Sequence, residues 1–227
     1  MTHFSNAHIV EGDTILERLG AEKLPSELRA PTAAFKALYK ALTAANDVAQ
    51  AAGEQRDDAL SIVTKADGKL DRLLESLAAI LPVHGLGTRK NPFAQYTQYS
   101  PSDLQGLAYA KEAAEAGRIA TAIKKTKPHK DVVELCDEVI AASKAVTAAI
   151  RGVAVPQRAY TTALGKRDAL LTEWSVARSR LERKAIGAWA DEPEMVRAFF
   201  APPSPMERPV TKRAKPAAPA APSDAKS

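Results

Sequence analysis

Residues 35–80 read FKALYKALTAANDVAQAAGEQRDDALSIVTKADGKLDRLLESLAAI. Alternating steps of three and four from Phe35 land on Leu38, Leu42, Ala45, Ala49, Ala52, Arg56, Ala59, Val63, Ala66, Leu70, Leu73, Leu77 and Ile80, and of these only Arg56 is not apolar. One phase held over six heptads marks a long α-helix with a narrow coiled-coil seam, because side chains at this spacing share one stripe of the helix. Pro31 suits a first helical turn, where a missing amide costs least, so the helix is expected over 31–81. At about 1.5 Å per residue it would span roughly 75 Å. Gly53 and Gly68 each cost about 1 kcal/mol against alanine without shifting the phase.

The same stepping from Val132 gives Leu135, Val139, Ala142, Val146, Ala149, Val153, Pro156, Tyr160, Ala163, Arg167, Leu170, Trp174, Ala177, Leu181, Lys184 and Ala188. It predicts a second long helix over 130–189. Proline costs about 3 kcal/mol in a helix interior, so Pro156 should kink it, the alternative being a hairpin turn near 152-GVAVP-156.

The two helices also echo one another. The stretch 53-GEQRDDALSIV-63 returns 111 residues later in 165-GKRDALLTEW-174, with Arg56-Asp57 matching Arg167-Asp168 and Leu70 matching Leu181. Both arginines fall on the seam. No catalytic group accompanies them, so Arg56 and Arg167 read as polar seam positions that fix register, each needing a carboxylate or solvent for its charge.

Between the long helices lies 82-PVHGLGTRKNPFAQYTQYSPSD-103, and a loop is expected over 82–101. Arg89, Lys90, Phe93, Tyr96 and Tyr99 combine basic and stacking groups in the manner of single-strand binders, although aromatics in such a loop also plug the end of a bundle. A shorter helix is expected over 102–126, with the small stripe Leu107, Ala110, Ala114 and Gly117, lysines at its negative end, and Pro128 barring continuation. At the other end, 1–30 reads as an arm with a brief helix opened by the capping box Thr14-Ile15-Leu16-Glu17. Residues 201–227 are rich in proline and alanine and carry the cluster Lys212, Arg213 and Lys215, the composition of a disordered basic tail. In Lys/Ala/Pro content this tail resembles those of linker histones and of some polyester-granule phasins.

The chain has 227 residues, and aromatics make up only 5%, so a core built largely of alanine must be thin and closely spaced. A net charge of +5 permits polyanion binding without demanding it. One cysteine, Cys136, excludes an intrachain disulfide framework, and no secretory leader or run of 18 apolar residues is visible. A cytoplasmic protein without a membrane span is the expectation. His3, His8, His84 and His129 lie in no zinc or di-iron spacing. Glu112 and Glu115 read as a solvated face, Cys136 as a small core residue, and 85-GLGTRK-90 lacks the spacing of a phosphate-binding loop. No catalytic residue, cofactor or metal is therefore expected.

The fold class predicted is all-α: an elongated antiparallel helical bundle or coiled coil filling 31–200. The function predicted is non-enzymatic, a scaffold or adaptor with a protein partner or self-association. The alternative is weak nucleic-acid binding through the tail and the 89–99 loop.

Overall fold

The computed structural model describes residues 6–201. The expected tail over 202–227, and with it Lys212, Arg213 and Lys215, lies outside the described residues. Among the described residues every regular element is helical: α1 (Asn6–Ala21), α2 (Ser26–Ile80), a 3-10 turn (Leu81–His84), α3 (Pro101–Gln105), α4 (Tyr109–Lys125), α5 (Lys130–Ala188) and α6 (Pro193–Phe200).

Both long helices hold their expected phase. Every seam position of α2 from Phe35 to Ile80 is buried or half-buried, and on α5 only Lys184 stands exposed. The helix α2 starts at Ser26, five residues before the expected position, and carries Pro31 inside it. Glu27 beside its opening amides is held below the usual carboxylate range by a backbone N–H and by Ser26, as an acid at a positive helix end should be. Helix α5 runs unbroken through Pro156, which rules out a hairpin at 152–156.

Three other expectations change. Helix α1 begins at Asn6 rather than at Thr14, and the Thr14 hydroxyl donates to the Val10 carbonyl at 2.7 Å instead of capping. The helix expected over 102–126 divides into α3 and α4 around Gly106. The buried face of α4 is Ala113, Ala116, Ile119, Ala120 and Ile123, whereas Ala110 and Ala114 of the expected stripe are exposed.

The described residues form two compact units, 6–39 with 173–201, and Lys40–Thr172. In the first unit, Ile15, Leu19, Leu28, Phe35, Trp174, Leu181 and Phe199 are buried. Trp174 meets Phe35 at 5.8 Å and the edge of His8 at 5.9 Å between ring centres. Polar ties hold the same helices: Tyr39 donates to the Ile9 carbonyl at 2.8 Å, and Arg178 bonds Glu11 at 2.6 Å.

The second unit has two apolar clusters of unequal size. The larger joins Leu70, Leu74, Leu77 and Leu81 to Phe93, Leu104, the buried face of α4, and Val132, Cys136, Val139 and Val146 of α5. The smaller is Ala49, Ala52 and Ala163, flanked by Tyr160 and Leu164.

Averaged over 18 residues, α5 reaches a mean hydropathy of 1.4, enough in length and composition to cross a membrane, with 22% of that window buried. The absence of an uninterrupted apolar run had concealed this, because Lys144 and Arg151 break up the stretch 139–156.

Candidate functional site

Polar groups gather in the second unit where α2, the 85–100 connection and α4 approach one another. The connection is fixed from within. Gly85 adopts φ 71° at the end of the 3-10 turn, a left-handed conformation that favours glycine, and its amide reaches the Pro82 carbonyl at 3.3 Å. A side chain at Gly87 would place its Cβ 2.4 Å from the Pro92 carbonyl oxygen. The glycines of 85-GLGTRK-90 thus serve the turn.

Phe93, expected as a stacking residue, is fully buried in the larger cluster, and Tyr96 and Tyr99 pack half-buried against that cluster. These rings plug the helical core, and Phe93 could not stack on a base without leaving it. Arg89 and Lys90 remain exposed. The loop is clamped by Glu115, which accepts from the Thr97 hydroxyl at 2.7 Å and from Arg118 at 2.8 and 2.6 Å, while Arg118 also donates to the Tyr96 carbonyl at 2.6 Å. Arg118 and then the Thr97 hydroxyl, working against burial, hold the Glu115 carboxyl down to about 2.

One turn earlier on α4, Glu112 has the opposite fate. It is fully buried, and neither carboxylate oxygen has a hydrogen-bond partner. Its neighbours on α2 are Asp67 and Asp71, one helical turn apart, each with Oδ1 buried and without a hydrogen-bond partner. One ligand oxygen from each of the three lies within 4.8 Å of the other two. Burial first, then Asp71 and Asp67, push Glu112 up to about 8, and burial and Asp71 also raise Asp67. Sequence alone placed Glu112 on a solvated face. Nothing in its spacing could have shown otherwise, because the partners come from another helix.

A second group, His84, His129 and Asp131, lies at the surface, the two imidazoles stacked 4.9 Å apart. His129 therefore meets His84, while Cys136 is buried and its thiol is raised to about 11 by burial and Asp137.

The repeated arginines occupy equivalent settings. Arg56 bonds Asp57 at 2.9 and 2.6 Å, and Arg167 bonds Asp168 at 3.0 and 2.8 Å. Each charge is answered by the next residue in sequence.

Sequence reasoning also missed a surface on α5. From 139 to 167 there is no acidic residue, and Lys144, Arg151 and Arg158 recur every seven positions, hence on one face. Val155, on the same side, is 74% exposed. At one end of this face a cavity of about 480 Å³ is lined by Gly117 and Thr121 of α4 and by Ser143, Lys144, Thr147 and Arg151 of α5.

No family model, curated protein or solved structure matches the chain.

Proposed function

We propose that the chain is a non-enzymatic, self-associating interaction protein whose second unit is built on an antiparallel pair of heptad-patterned helices. The pairing order supports the antiparallel reading: Leu70–Leu81 of α2 share a cluster with the early residues Val132–Val146 of α5, whereas the earlier Ala49 and Ala52 share one with the later Ala163.

The observation that carries the interaction reading is the uncovered face of α5. An 18-residue apolar stretch with only 22% of its residues buried is poorly accounted for by the core of one chain. Its bases are Lys144, Arg151 and Arg158, and no acid occurs between 139 and 167. Complementary chemistry exists in the same chain. Residues 43–64 of α2 carry Asp47, Glu54, Asp57 and Asp58 against Arg56 alone, together with Val48 and Ile62, which are 60% and 58% exposed. Two copies related by a twofold axis could each lay α5 on the partner's α2, an isologous arrangement that uses both faces twice. Fixed register at Arg56 and Arg167 would serve such a scaffold.

Sedimentation velocity of the full chain tests this reading. Wild type should form a dimer that weakens with salt, and Val155→Glu and Arg151→Glu should each yield monomer with unchanged helicity. A wild type that stays monomeric at every concentration sinks the proposal. The acid-free run also favours a second reading, nucleic-acid association by phosphate contacts. That reading predicts salt-sensitive, sequence-independent binding of an oligonucleotide, lost in Arg151→Glu and Arg158→Glu.

A further inference from the structure

We propose that Asp67, Asp71 and Glu112 bind a hard divalent cation, of the Mg²⁺, Mn²⁺ or Ca²⁺ class, that ties α2 to α4. Two independent features point to it. The first is geometric. Oxygens bound to one calcium ion at about 2.3–2.6 Å are never more than about 5 Å apart, and one oxygen from each of the three carboxylates lies within 4.8 Å of the other two, inside that limit. Asp67 and Asp71 reach this arrangement by their one-turn spacing on α2, and Glu112 by its place in the first turn of α4.

The second is the state of Glu112. A buried polar group without a partner costs free energy, and an ionised carboxylate costs far more. Glu112 has both oxygens orphaned, and what surrounds them is two further carboxylates, each with a buried orphaned oxygen of its own. Among the described residues none of the three carboxylates forms a salt bridge with a lysine or arginine, although the chain pairs Glu115, Asp57 and Asp168 with arginines elsewhere. A cation inserted among the three would satisfy all of these oxygens at once.

The donor set decides the class. Three carboxylates offer up to six oxygens and neither nitrogen nor sulfur, which suits hard cations that complete their shell with water and disfavours zinc and copper. The rival occupant is a proton on Glu112, and it corresponds to the metal-free form. A proton on Glu112 directed at Asp71 relieves two of the carboxylates and leaves Asp67 alone, whereas a dication relieves all three and in addition links two helices.

The experiment uses the full chain, freed of metal with EDTA and titrated with Mn²⁺ while the free ion is followed by electron paramagnetic resonance. One Mn²⁺ per chain should bind, be displaced by Mg²⁺ or Ca²⁺, and raise the melting temperature. Asp71→Asn and Glu112→Gln should each weaken binding by about tenfold or more, with unchanged circular dichroism. Glu112→Gln should melt in EDTA about as wild type does, since the metal-free Glu112 is already neutral. His129→Ala should bind like wild type. Failure of the folded wild type to take up Mn²⁺ overturns the proposal. So does uptake that survives in Glu112→Gln or disappears in His129→Ala, because the ion would then sit elsewhere.

Discussion

The guanidinium of Arg56 lies 4.3 Å from the centre of the Tyr160 ring while its donors close on Asp57 Oδ1 at 2.9 and 2.6 Å. The charge at this polar seam position is thus shared between an aspartate of its own helix and an aromatic face of α5. Cation–π contacts contribute about 0.5–1 kcal/mol at partly exposed sites. Arg56→Ala and Tyr160→Ala should each lower stability by about 1 kcal/mol, and the double variant by less than the sum, the shortfall being about 0.5–1 kcal/mol. Urea unfolding of the four proteins measures it, and strict additivity would refute the contact.

Acid should unfasten the loop through Glu115. Its folded value of about 2 lies below the ordinary 4.5, so the clamp on Arg118 and Thr97 contributes fully above about 4.5 and is lost as pH falls towards 2. Melting temperature plotted against pH should therefore fall across that window. Glu115→Gln should start lower at neutral pH, by about 1–2 kcal/mol in stability, and show a shallower acid limb.

Pro156 lacks the amide that would bond the carbonyl one turn back, yet α5 continues through it. Pro156→Ala restores that donor in a conformation alanine prefers and should stabilise the chain by about 1–3 kcal/mol. Denaturant midpoints with an unchanged m-value would show it. A loss of stability would mean the proline is held by contacts beyond its own helix.

The thiol of Cys136 should be silent. Fully buried and with its ionisation pushed up to about 11, it has neither access nor thiolate at neutral pH. Ellman's reagent should leave the native chain unlabelled for as long as it stays folded and label one thiol on unfolding. Prompt reaction of the native protein would contradict the packing around α5.

The long helices were legible because a heptad phase needs nothing beyond the sequence: Phe35 to Ile80 and Val132 to Ala188 each name their own buried face. Cys136 was legible for the same reason, lying beside that stripe. The α4 stripe was set about one position off, because alanines at 110, 113, 114 and 116 give the phase little contrast; of that stripe Gly117 alone is half-buried within α4, beside Ser143. At Thr14 two local signals competed, and the hydroxyl bonded backward to Val10 inside a longer helix rather than opening a new one. Glu112 was beyond reach altogether. A glutamate among alanines looks solvated until another helix brings Asp67 and Asp71 beside it. Phe93 illustrates the same point from the apolar side, since a loop aromatic reads alike whether it faces solvent or fills a core.

The cluster of Ala49, Ala52 and Ala163 has a bearing on motion. Alanine removes little surface from water, so this segment of the second unit is held by a small fraction of the free energy that Leu70, Leu74 and Leu77 supply farther along α2. Helices so unevenly fastened open in parts. Backbone amides around Gly53 and Gly152 should exchange with deuterium through brief separations of the pair that leave the leucine-rich cluster closed, so one continuous helix would carry two levels of protection.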